Sequence, residues 1–202
     1  MEVSTEATYS FEVTGERNLV ANFGEPATTT TVEITLTSGW NWWSTNLNVS
    51  LDDFKTAIAA ELGTSGNATI KTQGSTILYK NGRWIGTGIA ALDPRQMYEI
   101  NVSSACEFTL SGTPVNPADY EITINSGANW IGFTPSTSMT LTEAFQGLNP
   151  VAGDVVKSKD YSAVYKNGRW VSNSLQTLEP GKGYVYQSKA TEEKTFTYPT
   201  NK

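Results

Sequence analysis

Hydrophobic and polar residues alternate at the start of two separate stretches of the chain. In the first stretch Val32, Ile34 and Leu36 share one side, and polar residues occupy the other. A two-residue period of this kind predicts a half-buried β-strand. The second stretch, YEITI, begins at Tyr120 and follows the same period. The pattern therefore predicts two equivalent strands about one domain length apart.

A short helix is predicted after each of these strands. Ser50 and Asp53 form a capping-box pattern, and Thr140 and Glu143 form another. The apolar residues behind them are spaced for one helical face. They are Leu51, Phe54, Ile58 and Leu62 in the first copy, and Leu141, Ala144, Phe145 and Leu148 in the second. Because two different residue pairs keep the same capping device, we expect a helix in both places.

The motif YKNGRW occurs twice without change, at residues 79–84 and 165–170. Its central Asn-Gly pair favours a two-residue type I′ turn, which needs positive φ angles at both positions. A hairpin closed in this way places the first and last residues of the motif opposite each other. The predicted cross-strand pairs are Tyr79 with Trp84 and Tyr165 with Trp170.

The repeated blocks define the domain organisation. VEITLTSGWNW matches YEITINSGANW, and ALDPRQMYEI matches TLEPGKGYVY, in the same order in both halves. We therefore predict two tandem homologous modules, residues 30–111 and 116–202, with SGTPVNP as the join. Residues 1–25 belong to neither and are interpreted as a separate hairpin. The predicted fold class is α+β, mostly antiparallel β, and each strand-rich module has one short helix and an Asn-Gly hairpin.

Two resemblances follow from these motifs. The stretch TYSFEVTGERNLVANF resembles the closing hairpin of the InlB-type B-repeat family, which implies B-repeats upstream and display outside the cell. Residues 38–44, 92–98, 126–133 and 178–184 resemble the GWNxxS…LxPGxGY modules near the C-termini of large surface proteins of gut Bacteroidetes. The first copy departs from that pattern, with Arg95 and Met97 in place of glycines. That module type implies no enzymatic residues.

Charge and hydropathy limit the classes of partner that the chain is expected to bind. The net charge is −6, and the 14 basic residues are scattered along the chain, so no nucleic-acid partner is predicted. No apolar stretch reaches the length of a membrane span. Met1 is followed by Glu2, Val3 and Ser4, with no basic start or apolar middle, and we interpret it as an expression start inside a longer exported protein. The expected location is extracellular, at the bacterial cell surface.

The residue types available for chemistry are few. There is no histidine and a single cysteine, Cys106, so no catalytic, cofactor or metal site is predicted. We expect Cys106 to be a buried apolar residue, with a reactive thiol as the alternative. Asp52 and Asp53 are interpreted as helix-capping residues, although a weak calcium site is an alternative. Catalytic carboxylates, such as Asp52 or Glu179, are a further alternative.

The six tryptophans fall into two groups. Four recur in both copies and are predicted to lie in the core: Trp42, Trp84, Trp130 and Trp170. Trp40 and Trp43 are replaced by Ala128 and Ile131 in the second copy, so the module folds without an indole at either position. The candidate ligand-binding residues are Trp40, Asn41, Trp43 and Asn46. The alternative role of these tryptophans is contact with residues 1–25 or with the second module.

These observations predict a non-catalytic adhesion or structural module of an exported bacterial surface protein. Its expected partner is an extracellular protein or glycan, and the sequence specifies no oligomeric state. The alternative is a carbohydrate-binding module that uses an exposed tryptophan of the first copy. An enzymatic role comes third, because it depends on the carboxylates alone.

Overall fold

The structure, a computed structural model, describes Gly15 and residues 28–200. The hairpin predicted over residues 1–25 lies outside this range, apart from Gly15, and stays a prediction. The strands of the first half, residues 30–114, are β1 (Thr30–Leu36), β2 (Gly39–Trp43), β3 (Leu47–Asn48), β4 (Ala68–Lys71), β5 (Thr76–Lys80), β6 (Arg83–Ile85), β7 (Tyr98–Val102) and β8 (Cys106–Pro114).

The strands of the second half, residues 117–198, follow a short 3₁₀ helix at Pro117–Asp119. They are β9 (Ile122–Ile124), β10 (Gly127–Ile131), β11 (Met139–Thr140), β12 (Val155–Lys157), β13 (Ser162–Lys166), β14 (Arg169–Val171), β15 (Thr177–Leu178), β16 (Tyr184–Ser188) and β17 (Lys194–Phe196). Helix α1 is Leu51–Leu62 and helix α2 is Leu141–Ala144. Every strand pair among the described residues is antiparallel. The predicted β-rich, mostly antiparallel α+β character is therefore confirmed.

Each half contains a five-stranded sheet. The first has the order β2-β7-β4-β5-β6, and the second has the order β10-β16-β12-β13-β14. The registers correspond as well: Gly39 pairs with Val102 in the first sheet, and Gly127 pairs with Ser188 in the second. Smaller pairings flank the sheets, with β1 and β3 on β8, β9 on β17 and β11 on β15.

Both predicted hairpin turns form. Asn81 and Asn167 each have a φ of 53°, and Gly82 and Gly168 each have a φ of 74°. These left-handed conformations are tolerated by Asn and are free of strain for Gly, which explains why the pair is repeated.

The predicted aromatic pairs also form across these hairpins. Tyr79 lies opposite Trp84, with ring centroids 5.2 Å apart. Tyr165 lies opposite Trp170, with centroids 5.3 Å apart. Such pairs contribute about 0.2–1 kcal/mol each beyond simple burial.

The two helices begin as predicted but differ in length. The Ser50 hydroxyl accepts a hydrogen bond from the Asp53 N–H at 2.9 Å, and α1 buries all four predicted apolar residues. In the second half the capping box between Thr140 and Glu143 is complete. However, α2 ends at Ala144, so the helical face predicted through Leu148 is wrong beyond that residue. Gly147 and the positive φ of Asn149, directly before a proline, oppose a longer helix.

Two hydrophobic clusters back the sheets. The first draws its buried residues from positions 34 to 110, and the second from positions 122 to 198. Cys106 is fully buried in the first, as predicted. Burial raises the pKa of its thiol above the ordinary value, which disfavours the reactive thiolate.

Candidate functional site

Strand β2 carries most of the predicted ligand-binding residues, but its two faces are the reverse of the prediction. Trp43 is only 4% exposed and stacks on Phe54 of α1, with ring centroids 4.5 Å apart. It also pairs with Tyr98 of β7. Because alternate residues of a strand point to opposite faces, Trp40 and Trp42 face outward instead. The assignment of Trp43 to an exposed site is therefore wrong.

The recurring tryptophans divide in the same way. Trp84 packs against the first core and Trp170 against the second, as predicted. Trp42 and Trp130 are half-buried on the outer faces of their sheets, so their assignment to the core is wrong. The indole N–H of Trp42 donates to Glu99 across the strand pair at 3.1 Å.

Asn41 has a structural role. Its side-chain amide donates to the carbonyl of Thr37 at 2.8 Å and accepts from the N–H of Thr37 at 3.0 Å. Asn129 makes the same two bonds to Asn125, at 2.8 and 2.9 Å. In both halves this amide holds the turn that leads into the edge strand. The prediction that Asn41 meets a sugar hydroxyl is not supported by this geometry.

The remaining predicted residues lie in different environments. Asn46 is half-buried and donates to the carbonyl of Pro135 in the second half, at 3.3 Å. Trp40 is 39% exposed, and the Lys71 ammonium lies 4.6 Å from its ring centroid. Asn41 and Trp43 line one cavity, described below, whereas Trp40 and Asn46 lie outside its lining, and only Trp40 has the predicted exposure.

The halves meet along a junction to which each contributes two segments. The N–H of Gly183 donates to the carbonyl of Trp42 at 3.2 Å. In the reciprocal direction, the N–H of Gly132 donates to the carbonyl of Arg95 at 2.8 Å. The sheet registers make Gly132 the equivalent of Ser44, so equivalent segments of the two halves contact each other.

The centre of this junction is tightly packed. Ser44 is fully buried; its hydroxyl donates to the carbonyl of Lys182 at 2.6 Å and accepts from the N–H of Phe133 at 3.1 Å. A Cβ on Gly183 would lie 2.2 Å from Cγ of Met97. The departure of the first copy from the glycine pattern, at Met97, thus fills the space that Gly183 leaves.

At the edge of the second sheet a side chain closes the junction. The Gln73 amide donates to the carbonyl of Ala128 at 2.9 Å and accepts from the N–H of Trp130 at 3.1 Å. Gln73 lies in a tight turn closed by a bond from the N–H of Thr72 to the carbonyl of Ser75. This one amide therefore binds two outward-facing backbone groups of the edge strand β10, the Ala128 carbonyl and the Trp130 N–H.

At the edge of the first sheet there is a cavity of about 520 Å³ where the second sheet has the Gln73 side chain. The equivalent turn is present, with the N–H of Ser158 bonded to the carbonyl of Tyr161, but it carries Lys159 where the other turn carries Gln73. The cavity lies against Trp42 of β2. Its wall also includes Lys159, Asp160, Tyr161, Glu179 and Lys182. Asn41, Trp43 and Glu179, which the sequence analysis singled out, line this cavity, but their convergence was not predicted because the cavity combines segments more than 100 residues apart.

Asp52 and Asp93, which lie outside the cavity, each pair with a neighbouring basic side chain. Asp52 pairs with Lys55 at 2.9 Å. Asp93 binds the Arg95 guanidinium through both oxygens. Burial alone would raise the pKa of Asp93, but hydrogen bonds and charge from Arg95 outweigh burial, so this pKa lies below its ordinary value.

Asp154 is a buried carboxylate that sequence reasoning did not single out. It is 1% exposed and accepts hydrogen bonds from the Tyr186 hydroxyl at 2.7 Å and from the N–H groups of Val151 and Lys189. Burial raises the pKa of Tyr186. Three donors around one carboxylate give it a structural role.

Within residues 28–200, no group of three or more His, Cys, Asp or Glu side chains could hold a metal ion. Neither helix of that range is long and apolar enough to cross a membrane.

Comparison with known proteins adds no relative. No protein-family model matches the chain, and no matching curated protein or solved structure was found. The resemblances drawn from the sequence therefore stay predictions.

Proposed function

We propose that this chain is a non-catalytic adhesion module of an exported bacterial surface protein, in which two tandem copies, residues 30–111 and 116–202, act as one rigid unit. The observation that carries the proposal is the junction. Backbone hydrogen bonds join equivalent segments of the halves and leave an aromatic-lined cavity of about 520 Å³ between them. This volume is within the range of about 300–1,000 Å³ that is usual for ligand sites.

Asp93 and Asp154 take no catalytic part in this proposal, whereas Asp160 and Glu179 line the cavity itself. A general acid or base needs a free carboxyl group beside the reacting atom. Asp93 is held by Arg95, and Asp154 is buried under three donors. Both side chains serve the fold.

Surface exposure can be tested directly on the source bacterium. Intact cells are treated with a protease, and the released peptides are identified by mass spectrometry. Peptides from residues 28–200 are expected in the released fraction, together with peptides of upstream B-repeats. Their recovery from lysed cells alone would contradict the proposal.

Adhesion can be tested with the purified chain. Beads coated with it are expected to bind immobilised mucin or matrix protein without releasing any soluble product. Beads coated with heat-unfolded chain are the control. Turnover of the bound surface, or equal binding by folded and unfolded chain, would contradict the proposal.

A carbohydrate-binding module is the second candidate, and one observation favours it. Trp40 and Trp42 share the outer face of β2, and Trp40 is 39% exposed. A partly exposed indole offers a flat apolar surface to a sugar ring. A glycan array with wild type, Trp40→Ala and Trp42→Ala tests this candidate. Leu78→Ala is the matched control, because Leu78 is exposed on the same sheet. Equal array signals for all four proteins would exclude it.

A further inference from the structure

The two sheet edges at the junction are equivalent, but only one of them is closed. On β10 the Gln73 amide joins the Ala128 carbonyl and the Trp130 N–H. The register makes Trp40 and Trp42 their equivalents on β2. The backbone groups of alternate residues point to the same side of a strand. The Trp40 carbonyl and the Trp42 N–H therefore face the same free edge.

Those two backbone groups are without a protein partner. Among residues 28–200, no hydrogen bond is made to the Trp40 carbonyl or from the Trp42 N–H. The cavity lies directly against Trp42. Trp43 also lines it, and within the described chain its buried indole N–H has no acceptor. Unpaired buried donors are rare in folded proteins.

We propose that this cavity binds an acetamido sugar, whose amide takes the place that Gln73 takes at the other edge. The inference rests on the adhesive role proposed above and names the chemistry that the site recognises. An acetamido group carries one N–H donor and one carbonyl acceptor, the same pair that the Gln73 amide presents. It would accept from the Trp42 N–H, which borders the cavity, and donate to the Trp40 carbonyl, which lies on the same strand edge just outside the cavity lining.

The length of the free edge favours a single amide over an added peptide strand. At one end, Asn41 binds the backbone of Thr37 and holds the turn before β2. At the other end, the Trp42 carbonyl is already taken by Gly183. Peptides that extend a sheet use a ladder of main-chain bonds along the edge. Residues 40–42 leave room for one such pair.

The remaining walls suit the rest of a sugar. Trp42 and Tyr161 line the cavity, and Tyr161 is 56% exposed. Aromatic rings give apolar contact to the C–H face of a pyranose, and a few polar groups fix its orientation. Glu179, Gln176 and Lys182 line the same cavity and can bond to hydroxyls.

The test compares wild type with Lys159→Gln, which places the Gln73 side chain on the equivalent turn. Titration calorimetry is performed with N,N′-diacetylchitobiose, with cellobiose as the matched sugar without acetamido groups, and with an acetylated tetrapeptide. We expect wild type to bind diacetylchitobiose and to ignore cellobiose. Lys159→Gln should weaken binding at least about tenfold, because the introduced amide fills the edge. Lys80→Gln, at the exposed end of β5 beside the first hairpin turn, should bind as wild type does.

Thermal unfolding of each variant shows whether it is folded, and Trp42→Phe provides a second change at the cavity with a smaller ring. The inference would be overturned if wild type bound cellobiose with equal affinity or bound only the tetrapeptide. Undiminished binding of diacetylchitobiose by both Lys159→Gln and Trp42→Phe would also overturn it. Absence of binding to all three compounds at millimolar concentration would also overturn it. If Lys159→Gln beads still adhered to mucin as wild type does, the adhesive role would stand and the cavity assignment would fail.

Discussion

The two five-stranded sheets have the same order and register, but the layer packed against each of them differs. Helix α1 has 12 residues, and its Phe54 stacks on Trp43. Helix α2 has four residues. There Phe145, beyond the helix end, packs against Tyr186, and several other rings complete the layer. One sheet can thus be covered by a helix or by a group of aromatic rings, provided that its inner face is filled.

A second difference lies within the sheets. Ala68 and Ile100 are neighbours in the first core, and the register places Asp154 and Tyr186 at the equivalent positions of the second. An apolar pair is thus replaced by a hydrogen-bonded polar pair. The residues that the halves share include the Asn-Gly turns and also strand positions such as Tyr79 and Trp84.

The largest expected effect concerns the two faces of β2. Trp43→Ala should lower the free energy of unfolding by about 3–5 kcal/mol, because it removes a buried ring stacked on Phe54. Trp40→Ala should change it by no more than about 0.5 kcal/mol, because Trp40 is on the exposed face. Urea unfolding followed by circular dichroism measures both. Equal losses would contradict the assignment of faces.

A change of about 3 kcal/mol is expected at the polar pair of the second half. Asp154→Ala leaves the Tyr186 hydroxyl and two backbone N–H groups without their acceptor, and buried groups left unpaired cost about 1–3 kcal/mol each. Ala68→Gly, at the equivalent site, is the comparison and removes only one methyl group. Urea unfolding measures both. A smaller loss for Asp154→Ala than for Ala68→Gly would contradict the structural role.

An intermediate effect is expected at the two junction edges. Gln73→Ala should cost about 1–2 kcal/mol, because the edge of β10 loses both bonds of the amide. Lys159→Ala should change stability by less than about 0.5 kcal/mol, since no bond to β2 is lost. Thermal unfolding of both variants, measured in parallel with wild type, compares the two losses of stability. An equal loss would mean that the two edges are closed alike.

The smallest effect is the pH dependence of the Asp93–Arg95 pair. The pKa of Asp93 is lower in the folded chain than its ordinary value. The stabilisation is therefore complete above the unfolded-state pKa of about 4 and is lost as the pH falls through the folded pKa. Asp93→Asn should lower stability by about 0.2–1 kcal/mol at pH 7 and by progressively less below about pH 4. Glu179→Gln is the control, because Gly181 replaces Arg95 in that half. Unfolding curves across this pH range measure the difference in stability between wild type and Asp93→Asn. A difference that grew as the pH fell would contradict the prediction.

Local sequence signals predicted the parts of the fold that depend on local geometry. The Asn-Gly turns and the caps at Ser50 and Thr140 require particular residues at particular positions, so the local sequence predicts them. The predicted face of β2 is wrong because the recurrence of Trp42 as Trp130 does not imply burial. Both indoles recur on the outer faces of the sheets.

Only part of the candidate site, Asn41 and Trp43, could be predicted from sequence. Gln73 and Lys159 stand in similar polar turns, and nothing local shows that one of them reaches the edge of the other sheet. The role of Asp154 could not be predicted either, because its hydrogen-bond partners come from three separate positions along the chain. These contacts depend on how the halves and strands meet, and one sequence without relatives carries little signal for that.

The reciprocal contact between Ser44, Gly132 and their neighbours has a consequence for any longer array. Because each half of the chain offers the same face to the other, the association is isologous and closes on itself. A third copy added in tandem would find that face occupied on both of its predecessors. An array that grows through this contact must therefore lengthen by pairs, with linkers between pairs as its points of bending.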